Sequence, residues 1–120
     1  MKSVRTIEVM RAEPVDGRGR RPPADVVART IRDHLLRTAA ARFCVGVSDR
    51  QAAMMLRTKL IRYRAGPWRR DRFEDVCPDR HRGTVTELLW SMLKVRDAIP
   101  GDRTIRAALA LDAFSAAHNQ

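Results

Sequence analysis

The sequence predicts an all-α protein, a small bundle of four to five helices behind a flexible basic N-terminal arm. Three observations predict it. Apolar residues recur at helical spacing in four long segments, most of them opened by a proline or a capping residue. Strand character is confined to a short N-terminal fragment, Val4, Ile7 and Val9. With 120 residues, 44% of them hydrophobic, the chain fits one domain and one core without staples. Residues 1–22 are assigned to the arm and 23–120 to a single helical domain.

In the arm, Pro14, Gly17, Gly19, Pro22 and Pro23 interrupt any regular element, and Gly17-Arg18-Gly19-Arg20-Arg21 is cationic. Such a run follows a phosphate backbone or a minor groove, or is simply a disordered tail. The first helix starts at Pro23 or Ala24, where the missing proline N–H costs nothing, and ends near Phe43 before Gly46. Val27, Ile31 and Leu35, flanked by Ala24, Ala28 and Thr38, form its predicted apolar stripe. Arg29, Arg32, Asp33 and Arg37 fall on the other side, and His34 at the edge. Ser48 with Gln51 is a capping box that opens a helix to about Arg64. Ala52, Leu56, Leu60 and Tyr63 share one face there, and Met54 and Ile61 point nearly opposite. A helix apolar on two sides is expected at the centre of a bundle or against a second subunit.

Ala65-Gly66-Pro67 ends that helix, and a short one is expected over Trp68–Cys77 with Trp68, Phe73 and Val76 turned inward. Pro78 closes it, and Asp79 to Gly83 form a charged loop. Thr84 with Glu87 is a second capping box, opening a helix with Leu88, Leu89, Met92, Val95 and Ile99 on one face. Trp90 falls opposite, beside Ser91 and Lys94. Pro100-Gly101-Asp102 is a tight turn with Asp102 as N-cap. The last helix, Arg103 to about Ala117, carries Ile105 and Leu109 on one side and Leu111 and Phe114 on another.

Net charge is +10 and the pI about 11.3, a field that attracts polyanions. An Arg- and Ala-rich composition also arises from GC-rich coding sequence. Coding bias would spread arginine evenly, yet residues 41–82 hold 11 basic and 5 acidic side chains while residues 83–120 hold 4 of each. The excess is localised. No stretch approaches the ~20 apolar residues of a membrane span, and Met1 to Met10 lack the apolar centre of a signal peptide. A cytoplasmic location is therefore expected, with Cys44 and Cys77 as reduced thiols.

The sharpest cluster is Arg62, Arg64, Arg69, Arg70, Arg72, Arg80 and Arg82, interleaved with Tyr63, Trp68 and Phe73 and preceded by Arg57. Guanidinium groups pair bidentately with phosphate or guanine, and aromatics stack on exposed bases. The competing reading is that Asp71, Glu74, Asp75 and Asp79 neutralise these arginines in surface ion pairs, and on either reading the three aromatics are expected in the core. Trp90 and Phe114 are candidate partner-binding residues, since exposed aromatics mark contact surfaces; the arm or the last helix could instead cover Trp90. Leu111 and Phe114 together suit a homodimer contact.

Two segments resemble bacterial helix-turn-helix DNA-binding proteins, each over about ten residues. Ser48-Asp49-Arg50-Gln51-Ala52-Ala53, followed by Leu56, resembles the capped first helix of that motif, where paired alanines permit close packing. Ile99 to Leu109 resembles the start of a recognition helix. The resemblance implies that Arg103, Thr104 and Arg106 face DNA while Ile105 and Leu109 face the core. A capped bundle helix has the same local pattern.

Metal binding and catalysis have weaker footing. Cys77 and His81, with Cys44, His34 and His118 elsewhere, lack the paired short spacing of structural zinc sites. No phosphate loop, HExxH or nucleophile elbow occurs, and no orienting group is identifiable for Cys77 beside Arg80 and His81. The expectation is a non-enzymatic DNA-binding protein without cofactors, a transcriptional regulator or a mobile-element accessory protein. RNA ranks below DNA for want of the common stacking motifs. The alternative is a helical interaction module, an adaptor or inhibitor docking an acidic partner protein.

Overall fold

The structure, a computed structural model, describes residues 23–118, with side chains through Leu111. The arm assigned to residues 1–22 lies outside the described residues. Within them the chain forms α1 (Pro23–Phe43), α2 (Asp49–Ala65), the single-turn α3 (Trp68–Asp71), a 3₁₀ turn (Asp79–His81), α4 (Val85–Val95) and α5 (Asp102–His118). No strand occurs among the described residues, so the all-α bundle is the fold. No helix of the described residues is long and apolar enough to cross a membrane.

Local chemistry sets the helix boundaries. Ser48 Oγ accepts from the Gln51 N–H at 3.1 Å, and Thr84 Oγ1 accepts from the Thr86 N–H at 3.2 Å. Each such cap is worth about 1 kcal/mol. Glu87 reaches back to the Gly83 N–H at 2.9 Å, one residue earlier than an ideal box. Gly46 turns the chain between α1 and α2 at φ 84°, a left-handed value that side chains resist. At the last turn, Gly101 occupies the cap position, its carbonyl accepting from the Ile105 N–H at 3.1 Å; Asp102 is the first helical residue.

Packing then assembles the bundle. α1 lies against α4 and α5, and α2 packs on α5 as well as on α1, α3 and α4. The core joins Leu36 and Ala39 of α1, Ala52, Ala53, Leu56, Leu60 and Tyr63 of α2, and Ile105, Ala108 and Leu109 of α5. α4 contributes Leu88, Leu89, Trp90, Met92 and Leu93, all buried. At about 1.5–3 kcal/mol per fully buried large apolar side chain, that burial outweighs any propensity term over so short a helix.

Several sequence expectations are corrected. In α1 the buried face is Arg32, Leu36 and Ala39, rotated by one residue from the expected stripe; Val27 and Ile31 are exposed. Arg32 can turn inward because Asp33 Oδ1 accepts from its Nε and Nη2 at 3.2 and 3.0 Å, and Ala39 lets a neighbouring helix come close. α2 packs against the other four helices, as a central helix should, but its second apolar side, Met54 and Ile61, stays exposed, and α4 is the more deeply buried helix. α3 stops at Asp71, well short of Cys77, leaving Phe73 and Val76 exposed.

Candidate nucleic-acid interface

The basic segment between α2 and α4 is organised by one carboxylate. Asp71, at the end of α3, has a side chain only 1% exposed. Its Oδ2 accepts from the Tyr63 hydroxyl at 2.8 Å and from His81 Nε2 at 2.9 Å. Its Oδ1 accepts from Arg80 and lies 3.7 Å from Arg70 Nε. Tyr63 comes from the last turns of α2 and His81 from the 3₁₀ turn, so a single carboxylate ties three segments together. Tyr63 stacks at a tilt on Trp68, with centroids 6.0 Å apart, and edge-on to His81 at 5.7 Å. The Trp90 indole N–H donates to the Asp71 backbone carbonyl at 3.2 Å.

Burial pushes the Asp71 carboxyl up, but the hydrogen bonds from His81, Tyr63 and Arg80 outweigh it, and the net direction is down. Burial, then the Asp71 carboxylate, pushes the Tyr63 phenol well above its usual range. Asp71 is thus an ionised acceptor and Tyr63 a neutral donor. The same burial raises Cys77, so its thiol is not activated despite Arg80 and Arg82 nearby. Cys44 is likewise raised by burial. Among the described residues no three His, Cys, Asp or Glu side chains gather around a metal position.

The arginines singled out from sequence divide into two groups. Arg57 Nε donates to the Pro100 carbonyl at 3.0 Å, Arg64 pairs with Asp97 at 2.7 Å, and Arg106 pairs with Asp102 at 3.1 Å. Arg80 is held by Asp71, and Arg82 lies 3.3 Å from Asp79. Arg62, Arg69 and Arg103 are exposed and have no ion pair among the described residues. Arg70 is 72% exposed beyond its long contact to Asp71. Arg72 is exposed with its guanidinium 4.7 Å from the Phe73 ring centroid. Of the acidic residues expected to neutralise this cluster, Asp71 is buried and Asp79 takes Arg82; Glu74 and Asp75 pair with no arginine among the described residues.

Trp90 is a correction: it is buried at 8% exposure, with Lys94 Nζ 5.5 Å from its ring centroid, and cannot be an exposed contact residue. Its indole N–H is taken up by the Asp71 carbonyl at the end of α3. The Phe114 side chain lies outside the described residues. Ile105 and Leu109 are buried, as a capped bundle helix requires.

Beside the Asp71 hub lies a groove of about 310 Å³ lined by Lys59, Arg62, Tyr63, Pro67, His81, Val85, Thr86 and Leu89. Lys59 and Arg62, one helical turn apart on α2, supply two cations without partners among the described residues. Sequence reasoning passed over Lys59, though its spacing from Arg62 was the available signal. Asp71 was misplaced for a different reason. Three basic neighbours, Arg69, Arg70 and Arg72, make it read as surface charge, and nothing local announces that Tyr63 and His81 converge on it. Comparison with protein-family models, curated proteins and solved structures finds no match to the chain.

Proposed function

We propose that the chain is a non-enzymatic nucleic-acid-binding protein, with DNA ahead of RNA, whose contacts come from the basic segment between α2 and α4. One observation carries the reading: Arg62, Arg69 and Arg72 end in solvent with no ion pair among the described residues, while the backbone bearing them is fixed around a buried carboxylate. Cations held on a fixed frame lose little entropy on meeting phosphate, and each phosphate neutralised releases condensed counterions. Lys59 in the groove and Arg103 at the start of α5 add charge, the latter in keeping with the helix-turn-helix likeness. A transcriptional regulator or a mobile-element accessory protein is the role such a binder would fill, and a homodimer would let it span two half-sites.

The test is a fluorescence-polarisation titration against random duplex DNA from low to physiological salt. Binding should weaken with a log–log slope of about −3 or steeper, given at least three phosphate contacts. No binding at low salt, to the duplex or to its separated strands, would sink the proposal. The rival reading, a helical module docking an acidic protein, draws on the same cations, but its aromatic anchor cannot be Trp90, whose ring is buried.

A further inference from the structure

Phe73 was expected in the core and is instead 73% exposed. A loose loop would explain that trivially, because its ring would have nothing to hold it. The backbone here is not loose. The Phe73 N–H donates to the Arg70 carbonyl at 3.3 Å, and the Glu74 N–H to the Asp71 carbonyl at 3.0 Å. The buried Trp90 also donates to the Asp71 carbonyl, and Lys94 Nζ donates to the Arg72 carbonyl at 3.1 Å. The residues around Phe73 are thus tied to α4, and the phenyl ring is held outward by a fixed frame.

Its surroundings point to one kind of ligand. The Arg72 guanidinium lies against the ring, and Arg69 and Arg70 stand exposed just before it. A largely exposed ring with a guanidinium over one face and more arginines beside it matches how proteins hold unpaired bases: the base stacks on the free face while the arginines meet its phosphates. An apolar protein pocket would instead have to bury these charges. Glu74 and Asp75 follow on the other side, exposed and without an arginine partner among the described residues. They would repel phosphate, directing the strand toward the arginine side, and can accept from the amino group of a base such as cytosine.

We infer that Phe73 is a stacking platform for an unpaired nucleobase, and that the chain prefers single-stranded or locally opened nucleic acid to intact duplex. The inference rests on the nucleic-acid reading above and names its substrate class.

The experiment compares the full chain with Phe73→Ala and Phe73→Trp, titrated against one mixed-sequence deoxyoligonucleotide as a single strand and as a duplex. Phe73→Ala should weaken single-strand binding by about tenfold and duplex binding by less than about twofold, with the salt slope unchanged; Phe73→Trp should restore the preference. Phe73→Ala binding single strands as tightly as the unchanged chain, or weakening both forms alike, would overturn the inference while leaving the nucleic-acid reading intact. A changed sedimentation mass for Phe73→Ala would overturn it too, by assigning the ring to a second copy of the chain. If the unchanged chain binds neither form at low salt, both readings fall together.

Discussion

The segment from Arg62 to Arg82 and the turn from Arg96 to Arg106 use the same side chain in opposite ways. Around the turn, every arginine but Arg103 is consumed by the fold. Arg57 donates to the Pro100 carbonyl, Arg64 reaches Asp97, Arg96 reaches Asp25 at 3.1 Å on α1, and Arg106 closes on Asp102. In the earlier segment the carboxylate able to hold several cations, Asp71, is buried and occupied by Tyr63, His81 and Arg80, so Arg62, Arg69 and Arg72 are left to solvent. Charge counting along the chain cannot separate these uses, because what matters is whether each guanidinium has an acceptor within reach. A guanidinium that meets an acceptor serves as a structural tie; one that meets none is free to meet a ligand.

The comparison breaks most readily at Asp71. Asp71→Ala leaves the Tyr63 hydroxyl, His81 and Arg80 without their shared acceptor, and should cost about 3 kcal/mol, discounted from the full value for a buried pair because Arg80 is half exposed. A lowered urea midpoint at unchanged m-value would show it. The pH dependence has a definite sign. The folded Asp71 carboxyl lies below its ordinary 3.8, so its contribution is complete above that value and drains away as pH falls through the folded value. In Asp71→Asn the acid limb of the stability profile, below about pH 4, should therefore flatten. A limb that keeps its steepness would mean the carboxylate is not the hub.

Legibility in the sequence followed how local each determinant is. The ends of α1, α2 and α4 could be read because proline, serine and threonine act on N–H groups within three residues of themselves. The buried face of α2 was legible because Ala52, Leu56, Leu60 and Tyr63 are apolar on a polar background. The phase of α1 was not, since it depends on Arg32 being neutralised by Asp33, which no apolar count registers. Trp90 was missed because α4 is buried on nearly every side, so no single stripe describes it. At the candidate site the cations were legible as a cluster, while the division into tied and free ones was not. That division depends on contacts such as Arg64 with Asp97, which are 33 residues apart.

The next largest effect concerns ligand rather than stability. Replacing Arg62, Arg69 and Arg72 together by alanine should reduce the salt slope for duplex DNA by about 3, one per free cation. Because none of the three has an ion-pair partner among the described residues, the urea midpoint should stay close to that of the unchanged chain. A large loss of stability would place these arginines among the ties and remove the contrast. Tyr63→Phe is smaller still. It removes one donor to Asp71 and leaves that carboxylate with His81 and Arg80, for an expected cost of about 1 kcal/mol in urea unfolding. A cost near that of Asp71→Ala would mean the tyrosine, not the carboxylate, holds the segments together.

The smallest expected effect is the most exacting check on the distinction. Arg64→Ala and Arg106→Ala each break one half-exposed ion pair, worth about 0–1 kcal/mol, so stability should hardly move. The salt slope should also stay within about half a unit, because a guanidinium already facing a carboxylate releases few counterions when phosphate approaches. These residues are exposed arginines like the free ones, and are set apart from them by having a carboxylate acceptor. If either substitution lowers the slope by about one unit, surface pairing does not withhold a cation from DNA, and the contact region widens to include the turn before α5. If both leave it unchanged while the triple replacement does not, possession of an acceptor is what separates the arginines that hold the fold from those that bind.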